Sequence, residues 1–165
     1  MNDLARRVID IAISQVGVRE HGKNRGPEVD QYWKDIGMEP GGLSLPPIGP
    51  PKPWCAVFVS AMVKRACDAL GIPVPIHLTA GVFTLDEKAP VYMRSSIPTA
   101  GSIFILNGHK HTGFVTADWT SPLVSTCEGN TDPGGSSEGD GVYRRTRRRS
   151  ELLYFIDLNR EPVTS

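Results

Sequence analysis

The sequence predicts an α+β domain in which helices come first and an antiparallel sheet follows. Three observations lead there. Apolar residues recur at helical spacing from Leu4 to Leu70. From Gly101 onward, short apolar runs are separated by turn residues such as Asn107-Gly108 and Ser121-Pro122. A chain of 165 residues with 39% hydrophobic and 22% charged side chains has the make-up of one globular domain, residues 1–165, able to bury a core without disulfide or metal staples.

Asn2 or Asp3 is placed to cap a first helix with the apolar stripe Leu4, Val8, Ile11, Ala12 and Val16, ended by Gly17. A polar loop rich in turn residues then leads to Pro27. Proline suits the first position of a helix, and this second one carries Val29, Tyr32, Trp33 and Ile36 before Gly37 stops it. Residues 39–53 hold six prolines and three glycines in fifteen positions, which excludes helix and central strand. The helices before this segment are too short to form a domain alone. It is therefore expected to be a stiff loop walling a substrate groove rather than a linker between domains.

Pro53 blocks any helix entering from upstream, so the next one starts near Trp54 or Cys55. Its stripe is Ala56, Val59, Met62, Val63, Ala66 and Leu70, and it ends at Gly71-Ile72-Pro73. Residues 72–98 give mixed signals, with Thr79-Ala80-Gly81 a turn and Val82 to Leu85 a short strand. A buried strand, Ser102-Ile103-Phe104-Ile105-Leu106, is ended by Asn107-Gly108. Residues 109–117 and 123–130 read as an antiparallel hairpin. Folded about Thr120, it sets His111 opposite Gly129, flanked by Glu128 and Asn130. A Gly/Ser/Asp loop, an arginine-rich strand from Gly141, a buried closing strand from Glu151 to Leu158 and a tail at 160–165 complete the chain.

Lys+Arg 18 balances Asp+Glu 18, so no overall charge points to nucleic acid or an acidic polymer. No apolar run approaches the roughly 20 residues that span a bilayer. Arg6, Arg7 and Asp10 interrupt the apolar residues near the N-terminus, unlike a secretion leader. Synthesis in the cytoplasm is expected, with delivery to any outer compartment by another route. Three cysteines, Cys55, Cys67 and Cys127, cannot all pair within one chain.

Cys55 is the residue with chemistry to offer. At a helix N-terminus a thiol meets the positive end of the dipole and unpaired N–H groups, which favour thiolate. A cysteine beside tryptophan on an apolar helix is usually core, so reactivity requires a histidine nearby. His111 can supply it, with Glu128 or Asn130 to orient the ring. That set fits nucleophilic amide hydrolysis in the order Cys, His, acid. His109 shares the strand parity of His111 but lies nearer the turn and is expected to be exposed, as are His21 and His77. Cys67 and Cys127 are expected in the core.

Trp54-Cys55-Ala56-Val57-Phe58-Val59-Ser60, His111-Thr112-Gly113-Phe114-Val115 and Glu128-Gly129-Asn130-Thr131, in this order, resemble the CHAP domain of the NlpC/P60 papain-like superfamily. Val16-Gly17-Val18-Arg19-Glu20 and Asn24-Arg25-Gly26-Pro27 are similar to the lead-in of phage and bacterial members. The resemblance implies a papain-like fold with the nucleophile helix packed on an antiparallel sheet. It also implies a peptidoglycan hydrolase, either an N-acetylmuramoyl-L-alanine amidase or a peptide-stem endopeptidase. Cys55 would be nucleophile and His111 general base. Glu128 would orient that base, Asn130 would assist or replace it, and Trp54 would contact substrate. The chain departs from the pattern in having no glutamine shortly upstream of Cys55 as oxyanion donor, and no Asp-rich calcium loop. No cofactor or metal is expected.

Such a chain would act as a monomer in the periplasm or cell wall. It would arrive as a phage-type endolysin after lysis, or as an injected effector whose partners are a secretion apparatus and a cognate immunity protein. Three rivals stand beside this reading. Arg144, Arg145, Arg147, Arg148 and Arg149 suggest a binding module for nucleic acid or anionic envelope polymer, although on a strand they must alternate faces. His109, His111, Cys55 and Glu128 suggest a metal site, without a supporting ligand motif. The fold could also be retained as a binding module without catalysis.

Overall fold

A computed structural model describes residues 1–44, 49–134, 136 and 138–162 of the chain. The Asn2 side chain accepts a hydrogen bond from the Ala5 N–H and so starts helix α1 (Asp3–Ser14). Leu4, Ala5, Val8, Ile9 and Ala12 are its buried face. Val16, expected on the stripe, lies past the helix end and is exposed. Pro27 opens α2 (Pro27–Asp35), whose Val29, Tyr32 and Trp33 are buried. The proline-rich segment contains one 3-10 turn at Pro40–Gly42, tied to its far end by the Lys52 N–H donating to Gly41 O. Residues 45–48 of that loop lie outside the described residues.

Helix α3 (Cys55–Leu70) starts at Cys55, with Trp54 as N-cap, and ends where Gly71 takes the left-handed conformation. It is buried on every side from Cys55 to Val63 because α1 and α2 pack against it, and β3 (Thr112–Val115) and β4 (Leu123–Thr131) lie beneath it. Leu70 at its last position is partly exposed. The strand expected at Val82 to Leu85 is instead helix α4 (Val82–Glu87), with Gly81 as its N-cap. Val82, Leu85 and Asp86 turn inward at helical spacing, and packing against α3 overrides the strand preference of valine and phenylalanine.

The sheet has six strands, adding β1 (Arg94–Ser95), β2 (Ile103–Leu106), β5 (Gly141–Arg148) and β6 (Leu152–Ile156). Their order is β1-β6-β2-β3-β4-β5, and all neighbours are antiparallel. The architecture is thus α+β, with helices on one face of an antiparallel sheet. Alternation divides the sheet side chains between two cores. Ile103, Ile105, Phe114, Cys127 and Ile156 join the helices in the main core. Phe104, Val115, Val124, Leu152 and Phe155 form a smaller cluster on the other face. Arg160, expected in a tail, instead donates to Arg94 O and the Ser95 hydroxyl.

The β3–β4 hairpin is offset by one residue from the expected register. Phe114 pairs with Cys127 and Val115 with Thr126. Extended by one pair, this sets Gly113 against Glu128, just before the bulge in β4 between Glu128 and Thr131. A slip of one residue exchanges faces, and here it brings Glu128 onto the same side as His111. Two glycines make the arrangement possible. A Cβ on Gly113 would meet Cys127 O at 2.8 Å, Glu128 Cγ at 2.9 Å and Phe104 Cε1 at 2.9 Å. A Cβ on Gly129 would meet Phe58 Cγ at 2.6 Å and Trp54 Cζ3 at 2.8 Å.

Replacing Gly129 by Ala should therefore push α3 away from β4. It is expected to lower stability by about 1–3 kcal/mol, the range for an overpacked core, read as a lower midpoint in chemical or thermal denaturation.

Candidate active site

Pro53 and the Trp54 cap place Cys55 at the first helical position of α3, where backbone N–H groups have no intrahelical partner. The thiol is buried, with 5% of the residue exposed. Trp54, expected to contact substrate, is fully buried instead. Its indole N–H donates to Glu20 Oε1 at 2.7 Å, and its ring packs on Tyr32 and Phe58. Its role here is to hold the start of the helix. Glu20 Oε2 also accepts from the Asn24 N–H at 2.8 Å, and the Asn24 amide donates to Pro51 O at 3.1 Å. The polar lead-in loop thus braces both the helix start and the proline-rich loop.

His111 lies just before β3 and is fully buried. Its Nε2 is 2.9 Å from Glu128 Oε2. Nδ1, also buried, forms no hydrogen bond of normal geometry. The Cys55 sulfur nevertheless lies close enough to act electrostatically on the ring. Burial alone would push the imidazole pKa down; Cys55, and then Glu128, outweigh it and hold it up at about 9.

Glu128, itself fully buried, has both oxygens occupied. Oε1 accepts from the Thr126 hydroxyl at 2.6 Å and Arg147 Nε at 2.8 Å, and Oε2 accepts from Arg147 Nη2 at 2.5 Å as well as facing His111. Burial raises the carboxyl pKa, but Arg147 and then His111 hold it down to about 2. Asn130 is fully buried with a backbone φ of 56°, and among the described residues neither atom of its amide has a hydrogen-bond partner. The structure therefore brings Cys55, His111 and Glu128 together, and the ring's carboxylate partner is Glu128 rather than Asn130.

The other candidates fall elsewhere. His109, expected to be exposed, is partly buried and paired through Nε2 with Asp86, whose other oxygen accepts from Arg94. His21 and His77 are exposed. Cys67 and Cys127 are core residues, and the Cys127 thiol donates to Ala12 O at 3.4 Å. No group of three or more metal-ligating side chains occurs among the described residues.

The arginine strand does not present five free guanidinium groups. Arg147 is buried on Glu128, while Arg145 donates to Asp132 O and Arg149 to Leu152 O and Ser96 O. Arg147 reaches Glu128 across the β4–β5 pair, whose register the sequence does not fix. Its only sequence signal was the alternation that must turn some of the five arginines inward.

A cavity of about 390 Å³ opens between the proline-rich loop (Gly42, Leu43, Lys52) and the Thr79-Ala80-Gly81 turn, with Trp33 in its lining. Both walls adjoin the first turns of α3: Lys52 lies three residues before Cys55, and Thr79 is bonded through its backbone to the Ser60 hydroxyl. No helix among the described residues is long and apolar enough to cross a membrane. No protein-family model and no curated protein sequence matches the chain.

The two shifted groups set a pH window. Glu128, held below its ordinary range, contributes stability that is present above an unfolded pKa of about 4.3 and lost as pH falls toward about 2. His111, held above its ordinary value, contributes stability that is present below an unfolded pKa of about 6.5 and lost as pH rises through about 9. Unfolding free energy should fall between roughly pH 6.5 and 9, and a His111→Gln variant should lose that slope in denaturant titrations.

Proposed function

We propose that this chain is a cysteine hydrolase that cleaves an amide bond in the peptide of bacterial cell wall. The observation that carries the reading is the buried relay Cys55, His111, Glu128, built on a helix N-terminus and an antiparallel hairpin. The helix-first, sheet-second order supports a papain-like fold of the NlpC/P60-CHAP kind. The motif resemblance supports the substrate class, and the relay supports the chemistry.

The steps use the chain's own groups. The Cys55 thiolate attacks the scissile carbonyl carbon, forming a C–S bond and an oxyanion, toward which the unpaired N–H groups at the start of α3 point their partial positive charge. His111, protonated at Nδ1, gives that proton to the leaving nitrogen as the C–N bond breaks. A water then enters, gives its proton to Nδ1 and attacks the thioester; the C–S bond breaks and the thiolate is restored. Glu128 keeps the opposite nitrogen in its N–H form throughout, which fixes the tautomer and the tilt of the ring. The cavity between the proline-rich loop and the Thr79 turn, which opens near the start of α3 without Cys55 in its lining, is the room this reading assigns to the peptide. An outer compartment is the place of action, reached after lysis or by injection, and an immunity protein is the partner the second route calls for.

Digestion of purified peptidoglycan, with fragments read by mass spectrometry, tests the proposal and identifies the bond. Cys55→Ala is expected to slow release by at least about 10³-fold, and Glu128→Gln by about 10²-fold or more. Chelation should leave the wild-type rate unchanged. Equal digestion by wild type and Cys55→Ala would overturn the assignment.

A further inference from the structure

Outside the relay, Arg147 is a charged side chain turned away from solvent. It leaves the β5 strand on the face that carries the smaller apolar cluster, is 8% exposed, and lies with its guanidinium 5.9 Å from the centre of the Phe104 ring. Both carboxylate oxygens of Glu128 receive its N–H groups, at 2.8 and 2.5 Å. A lone surface arginine would contribute little to such a pair; here the fork is desolvated and its geometry is fixed on two sides.

We propose that Arg147 is a positioning residue for the catalytic group, holding Glu128 in the one orientation from which Oε2 receives His111 Nε2. The inference rests on the reading of Cys55, His111 and Glu128 as that group. Three donors converge on Glu128 besides His111: Nε and Nη2 of Arg147, and the Thr126 hydroxyl. With Arg147 removed, Thr126 alone would hold Oε1, and the carboxylate would be free to turn away from the imidazole. It would also lose the one cation that offsets its burial when His111 passes its proton on.

The charged and titratable groups facing this pair come from several elements. Cys55 on α3 and His111 before β3 lie on the relay side. Cys127 neighbours Glu128 on β4, Glu151 acts on Arg147 from the turn before β6, and β2 presents only the Phe104 ring. Arg147 is thus the only guanidinium hydrogen-bonded to Glu128 among the described residues.

The test is a titration of the His111 ring by NMR in intact protein labelled with nitrogen-15 histidine, comparing wild type, Arg147→Met and Arg147→Lys. Methionine keeps an apolar stem beside Phe104 and removes the charge; lysine keeps the charge and removes the fork. In Arg147→Met the Nε2–H resonance should lose the shift of a carboxylate-bonded proton. The acid step at which Glu128 takes up a proton should also rise by about one pH unit or more. Arg147→Lys should recover the acid step yet leave kcat on cell wall reduced about 10-fold or more, with KM little changed.

Wild-type ring shifts and acid step in a folded Arg147→Met protein would overturn the proposal. If that variant does not fold, Arg147→Lys decides: an altered Nε2–H shift supports the role, and a wild-type one refutes it. Shifts that change as expected in a protein that releases nothing from cell wall would sustain the positioning role and refute the hydrolase reading.

Discussion

A carboxylate with no access to water is the constraint around which the sheet is arranged. An ionised Glu128 in an apolar setting would be strongly unfavourable unless every lone pair facing the protein were answered. Hydroxyl, guanidinium and imidazole answer them from three strands' worth of backbone: Thr126 on β4, Arg147 on β5 and His111 at the head of β3. The strands must therefore meet in one register. Gly113 must lack a side chain, since its Cβ would occupy the space through which the Glu128 stem passes. The buried charge of Glu128 and the pairing of the strands impose the same requirement.

Much of this was legible in the sequence, for identifiable reasons. A proline directly before Trp54-Cys55 leaves little freedom in where a helix can begin, and the helix starts at Cys55. Hydrophobic alternation and turn dipeptides located β2 and β4 to within a residue, whereas β3 is shorter than the expected 109–117, because residues 107–109 form a 3-10 turn. What failed were features decided by contacts distant in the chain. Val82 to Leu85 looks like strand by composition, but its neighbours on α3 reward helical spacing. The exact pairing of β3 with β4 depends on where the connection at 116–122 bends, and local residues leave that open by one. Arg147 and Trp54 share a related cause: the partner of each, Glu128 or Glu20, is brought in from another element, which local sequence does not show.

The polar loop after α1 illustrates how an apparently loose segment becomes structural. Glu20 receives the Trp54 indole and the Asn24 amide on separate oxygens, and Asn24 reaches on to Pro51. Gly26, with φ 141°, caps α2, and a Cβ there would lie 3.1 Å from the His21 nitrogen. Arg19 meanwhile bridges to Gly141 at the edge of β5, and the Glu20 N–H donates to Asp140 O. A single loop is thereby fastened to the helix start, the proline-rich segment and the far edge of the sheet. Rigidity at Cys55 comes from outside α3 as much as from within it.

Asn2, which caps α1, also donates from its side chain to Leu158 O and from its backbone to Asn159 Oδ1, while β6 sits between β1 and β2 inside the sheet. The earliest element and the latest strand therefore complete one another. Folding of this topology cannot proceed vectorially as the chain emerges from a ribosome: the sheet lacks an interior member until residues near 156 are available. A nascent chain would hold Cys55, His111 and Glu128 unassembled, so their cluster would form in one late cooperative step rather than growing with length.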